Sequence, residues 1–235
     1  NIDENILEIA SADAKIISEK VNTQLNALEA LANSPWIKSN ELTIDEKMVL
    51  LQDEVKRSGH KIIMLANTNG ITHSTIGGSV DIHDREYFIK ALSGENAVSD
   101  PLVSKTDGSV VVAFAVPIME GNKVTGVLVA KRDGNELSNY TTEMQYNEQQ
   151  IFMINNKGNM IANSDQYSVL GLYNIFEEYE KNPELEGVYN IARKMAEGEH
   201  GVGEYVLNGE TTYIGYCPVE GTNWSLAVTI PKSVV

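Results

Sequence analysis

The sequence predicts an α+β fold, a long N-terminal helix followed by two small antiparallel-sheet units of one topology. Three observations predict it. The first thirty-odd residues carry apolar side chains at helical spacing, with no Gly or Pro before Pro35. A strand, an Asn-rich turn ending in Gly and a returning strand occur around Asn67–Gly70, and again around Asn155–Gly158 about 88 residues later. A second pair of turns, Asp107-Gly108 and Asn208-Gly209, lies 101 residues apart, and two apolar strands follow each.

The N-terminal helix is carried by Ile2, Ile6, Ile9, Ile16, Ile17, Val21, Leu25, Leu28 and Leu31, mostly three, four or seven apart. It would be roughly 50 Å long, more than one small domain needs, and reads as a spine along two stacked units. A second helix is expected from Thr43 to about Ser58. His60–Ala66 reads as a buried strand, Asn67–Gly70 as a turn with Gly70 free to take positive φ, and Ile71–Ser74 as the returning strand. Strands ending in Ala115–Ile118 and Gly126–Ala130 complete the first sheet, and Asn135 to about Thr142 starts a connecting helix. Gln150–Ile154, Asn159–Ser164, Tyr213–Val219 and Trp224–Val228 repeat the pattern. The expected organisation is residues 1–59 as the spine and second helix, 60–142 as the first sheet unit and 143–235 as the second.

Composition excludes several classes. Hydrophobic residues at 42% and charged residues at 22% place the chain among ordinary globular proteins. The net charge of −15 opposes a phosphate backbone and an anionic membrane surface, so nucleic acid is not an expected partner. A single cysteine, Cys217, allows no intrachain disulfide, and in its apolar strand it reads as a buried, inert thiol. There is no apolar run of 18 residues and no signal peptide, and both ends read as cut edges of an excised module.

Catalytic signatures are missing. The sequence has no phosphate-binding Gly-x-x-x-x-Gly-Lys loop, no Gly-x-Ser-x-Gly elbow and no His-Glu-x-x-His. His60, His73, His83 and His200 lack metal-ligand spacing, so no metal and no cofactor is expected. No nucleophile–base pair is visible, and an enzyme such as a small-ester hydrolase is not expected.

The segment Asp81-Ile82-His83-Asp84-Arg85-Glu86-Tyr87-Phe88 stands apart. It places one Arg beside two aromatics just after the Gly77-Gly78 turn. A guanidinium pairs bidentately with a carboxylate, and aromatics beside it can wall a pocket. The competing reading has Tyr87 and Phe88 in the core and Arg85 paired with a nearby acid.

The run from Asp84 to Glu95 resembles the ligand-site helix of double Cache domains. Val98–Gly108, Ala115–Ile118 and Gly126–Leu137 are similar to the strands that follow it, and the resemblance extends over essentially the whole chain. It implies two tandem PAS-like units, the membrane-distal one binding ligand and the membrane-proximal one passing on the signal. In the amino-acid-binding branch an Arg grips the ligand carboxylate, and Arg85 matches it. The Trp-Tyr pair of that branch is Tyr87-Phe88 here, and a Tyr after the Pro of the next segment is Leu102. The Asp that grips the α-ammonium falls at Lys131, which would repel an ammonium. Asp133 shares its side of the strand and could neutralise it. Asp100, Ser104 and Phe114 complete the lining that the resemblance implies.

The resemblance implies an extracytoplasmic ligand-sensing domain of a bacterial transmembrane receptor, a chemoreceptor first, flanked by transmembrane helices and homodimeric in its parent. Its ligand would be a small carboxylate-bearing, amino-acid-like or nucleobase-like metabolite held in the distal unit. The alternative is an interaction or dimerisation module of a histidine kinase or diguanylate cyclase, its pocket plugged by Leu102 and Phe114.

Overall fold

The computed structural model describes residues 1–235, with every side chain but that of Gln166. The predicted α+β class holds. A helix, α1, runs over Ile2–Ala32, and two antiparallel sheets follow. The chain forms two compact units, Val21–Gly134 and Asn1–Lys20 with Asn135–Val235, so the first 59 residues are divided between them.

The buried stripe of α1 is Ile6, Ala10, Ala14, Ile17, Val21, Leu25, Leu28 and Ala32, spaced three, four or seven apart as a helix face requires. Three alanines belong to it, whereas Ile16, expected in the apolar set, is 38% exposed. After the short α2 (Pro35–Lys38), α3 (Ile44–Ser58) opens on a capping box. Thr43 Oγ1 accepts from the Glu46 amide and Glu46 Oε1 accepts from the Thr43 amide, which satisfies two donors that a helix start leaves free. Gly59 closes α3 at φ 78°, its amide donating to Val55 O.

The sheet of the Val21–Gly134 unit contains β1 (Ile62–Ala66) and β2 (Thr72–Ser74), and α4 (Glu86–Leu92) follows them. The short β3 (Ala97–Val98) and β4 (Leu102–Val103) precede the long hairpin β5 (Val110–Glu120) and β6 (Lys123–Asp133). Its order is β2-β1-β6-β5-β3, with β4 also on β5. The other unit contains α5 (Glu136–Met144), β7 (Gln150–Asn155), β8 (Met160–Ala162), α6 (Gln166–Leu170), α7 (Ile175–Lys181) and α8 (Glu186–Ala196). It ends with β9 (Gly201–Leu207), β10 (Glu210–Pro218) and β11 (Trp224–Pro231), in the order β8-β7-β11-β10-β9.

The two orders are the same topology, and the repeat reaches single hydrogen bonds. Asn67 Oδ1 accepts from the amides of Asn69 and Ile71, and Asn155 Oδ1 accepts from those of Lys157 and Asn159. Gly70 (φ 86°) and Gly158 (φ 84°) close these two turns. The Gly70 carbonyl accepts from Ile82 N and the Gly158 carbonyl from Ile175 N. A Cβ on Gly70 would lie 2.7 Å from the His83 backbone, so the turn and the approach to α4 fit together only through glycine.

Side-chain alternation sorts the first sheet into two faces. Ile62, Met64 and Ala66 of β1, Ala113 and Ala115 of β5, and Val127 and Val129 of β6 pack with Ile82, Tyr87, Phe88 and Ala91 of the α4 region. Lys131 continues the β6 row, between Ile62 on β1 and Ala113 on β5. Cys217 is half-buried rather than fully buried as its apolar strand suggested.

Candidate functional site

Arg85 is the residue immediately before α4, at φ −78° and ψ 130°. Its amide donates to Ile82 O, and its carbonyl accepts from the amides of Phe88 and Ile89, so the helix start fixes its position. Arg85 as a whole is half-buried, and its Nη2 donates to Val103 O at 2.9 Å in an exposed hydrogen bond. Tyr87 and Phe88, 4% and 2% exposed, belong to the core beneath α4. Burial, more than any charge nearby, pushes the Tyr87 phenol up to about 12.

Lys131 is the buried charge of this face, 1% exposed. Its Nζ donates to Ser104 Oγ at 3.0 Å and to Thr106 Oγ1 at 3.4 Å. Burial first and then the positive charge of Arg85 pull it down to about 8, with Asp107 opposing. Asp107 is itself engaged: Oδ1 accepts from Ser109 N and from Ser109 Oγ, and these bonds hold its carboxyl below the usual range. Two cations from separate elements therefore grip one short stretch, Arg85 at Val103 and Lys131 at Ser104 and Thr106.

A third cation ties the same stretch outward. Lys105 Nζ donates to Asp81 O at 2.9 Å and to the Asp84 carboxylate, linking the loop after β4 to the approach to α4. This pairing is a strap across the two segments. It is exposed, so it is worth little in stability. Lys105→Ala is expected to leave the melting temperature nearly unchanged while hydrogen exchange of the amides in the loop after β4 quickens by about two- to tenfold.

The remaining expected residues divide. Leu102 is half-buried and packs against the α4 cluster, and Ser104, 2% exposed, is a partner of Lys131. Asp100 is half-buried between β3 and β4. Asp133 lies one alternation beyond Lys131 but is exposed, and the acid whose field reaches Lys131 is Asp107 instead. Phe114 is a correction. It pairs with Ala130 and Val98, between Ala113 and Ala115, so alternation sends it to the sheet's other face, away from Lys131. It can neither line nor plug a site there. Thr106 and Lys105 belong to the Val98–Gly108 run that carries the resemblance but are not among its expected lining residues; they lie on a polar turn whose composition shows no partner.

The duplicated unit offers an internal control. With Asn155 matched to Asn67, Gln150 matches Ile62, and their β-partners Thr229 and Lys131 match in turn. The second sheet thus places a neutral Thr where the first has a buried ammonium.

A cleft of about 360 Å³ opens at the opposite end of β1 and β6, between Lys38, Lys47, Leu65, Ile118 and Gly126, and contains none of the expected site residues. Among the described residues no group of three or more His, Cys, Asp or Glu side chains could hold a metal ion, and no helix is long and apolar enough to cross a membrane.

The sequence model of the Cache domain, in its double form, matches residues 1–235. The chain belongs to the Cache domain family. No curated protein matches this Cache domain in sequence. Solved structures share its fold. The ligand-binding domain of the Pseudomonas aeruginosa PAO1 amino acid chemoreceptor PctB, in complex with L-Arg, superposes with a TM-score of 0.76 at 17% identity, covering 99% of this chain and 96% of that one. The ligand-binding domain of the Pseudomonas fluorescens chemoreceptor CtaA, in complex with L-isoleucine, gives 0.76 at 15%, covering 98% and 92%. The extracellular domain of the histidine kinase mmHK1S-Z2, described as putative in its own name, gives 0.73 at 15%, covering 98% and 97%.

Proposed function

We propose that this Cache domain is the extracytoplasmic ligand-sensing part of a bacterial transmembrane receptor, a chemoreceptor, anchored through flanking transmembrane helices and dimeric in its parent. The Val21–Gly134 unit is then the membrane-distal, ligand-binding one, and a small polar or carboxylate-bearing metabolite is its ligand. One observation carries the reading. Arg85 and Lys131 converge on Val103–Thr106, Arg85 lies next in sequence to the helix whose Tyr87 and Phe88 fill the core, and the sister sheet has Thr229 in place of the lysine. The family and the chemoreceptor folds support it. A ligand that contacts the closed form of the 81–85 and 102–106 segments more than the open form shifts the population toward closure, and a helix-scale displacement carries the signal.

The test is thermal stabilisation by a broad metabolite set. A ligand at 100 times its Kd adds about 2.7 kcal/mol, a rise of several degrees for a chain of this size. Arg85→Ala is expected to abolish that rise while the circular dichroism spectrum stays that of the parent. A wild-type protein that no compound stabilises, or a mutant that keeps the full rise, would overturn the reading.

A further inference from the structure

The ligand's chemical class follows from how Lys131 is partnered, granted that the Val21–Gly134 unit binds ligand at all. A fully buried ammonium is almost always paired with a carboxylate, because an uncompensated charge in a dry interior is costly. Lys131 is buried to the same degree as the core side chains around it, yet its partners are the uncharged hydroxyls of Ser104 and Thr106. Asp107, the acid whose field reaches it, has Oδ1 committed to Ser109. The field of Arg85 adds a second positive charge, whose guanidinium meets a neutral carbonyl. The floor of this face therefore sets two positive charges against Asp107, and among the described residues no carboxylate is hydrogen-bonded to the Lys131 ammonium.

We infer that the site takes a small organic acid without an ammonium group, its carboxylate seated on Lys131 as the missing counter-ion. The hydroxyls of Ser104 and Thr106, relieved of the ammonium, turn their protons toward the acid's remaining oxygens. An α-amino acid would bring its own ammonium to two cations, and like charges juxtaposed in a desolvated site are strongly disfavoured. This separates the chain from the chemoreceptor domains solved with L-Arg and L-isoleucine, whose fold it shares. Lys131 is thus a specificity-determining residue, with the rotating hydroxyls as its reserve partners.

Matched pairs differing at the ammonium test this: succinate and L-aspartate, L-lactate and L-alanine, 2-oxoglutarate and L-glutamate, titrated by calorimetry into wild-type protein and Lys131→Met. At least one acid is expected to bind, with its amino partner roughly a hundredfold weaker or worse. Lys131→Met is expected to weaken that acid by at least about 30-fold while melting cooperatively. The inference fails if none of the three acids binds, if an amino acid binds as tightly as its partner, or if Lys131→Met binds the acid unchanged. A stabilising compound that depends on Arg85 but carries no carboxylate would overturn the inference and leave the sensor reading standing. The absence of any stabilising compound would overturn the sensor reading itself.

Discussion

Lys131→Met makes the unliganded protein more stable at pH 7, against the usual direction for a core substitution. Lys131 titrates at about 8 in the fold, against 10.5 for an ordinary lysine, because burial and then Arg85 disfavour its charge. At pH 7 the side chain is protonated both folded and unfolded, so the whole disparity is a cost to the fold, about 3 kcal/mol. Met is of similar length, apolar and adaptable, and removes that cost. The hydroxyls lose a donor, but Ser104 Oγ still accepts from the Thr106 amide and Thr106 Oγ1 still faces Met64 Sδ. The expected net gain is about 1–3 kcal/mol. The pH profile identifies the cause. Between pH 8 and 10.5 the unfolded chain holds more protons at this site than the folded one, so wild-type stability rises with pH relative to the mutant. The difference between the two proteins is full below pH 8 and gone above about pH 10.5. Denaturant melts at pH 7 and pH 10 measure it. Equal stabilities at pH 7, or a gap that does not shrink with pH, would mean the ammonium is solvated or paired.

Phe88→Ala destabilises the fold rather than retuning the site. The ring is 2% exposed and packs with Ile82, Tyr87, Ala91, Ala113 and Ala115 of β5, and Val127 and Val129 of β6. Removing a fully buried phenylalanine costs about 3–5 kcal/mol, the lost transfer energy plus that of the cavity left behind. Because α4 has only seven residues, it has little helical stability of its own and depends on this packing. Protection of the α4 amides from hydrogen exchange is expected to fall about a hundredfold or more, with the preference between acid and amino acid unchanged. A mutant with parental stability but altered preference would make Phe88 a ligand contact.

The fold was legible because its signals are local and repeated. The turn Asn67–Gly70 recurs at Asn155–Gly158 with the same Asn hydrogen bonds, and the α1 stripe is a spacing rule. The helices of residues 166–196 lack a repeat to announce them, although α8 does carry a signal: Val188, Ile191, Ala192 and Met195 fall three, one and three apart, as a helix face requires. In the site, Arg85 is visible as a cation next to two rings. Lys131 is visible only by resemblance, since a lysine ending an apolar strand reads equally as the strand's wet tip. Its burial depends on pairing with β1 and β5, a long-range register. Phe114 shows the same difficulty in reverse. Within the buried run Val111–Val116 both faces are apolar, so nothing in the sequence says which parity faces α4. The strap from Lys105 joins residues 21 and 24 positions apart and has no local signature.

Burial, and then the charge of Arg85, loosen the Lys131 amine's hold on its proton, so at neutral pH it is deprotonated more often than an ordinary lysine. In that state its nitrogen is a nucleophile. Small acylating or carbamoylating reagents that gain access to it would modify it, and a carboxylate bound there would keep the proton on and silence it. If the proposed acid is the ligand, its carboxylate also shields this one nitrogen from such reagents.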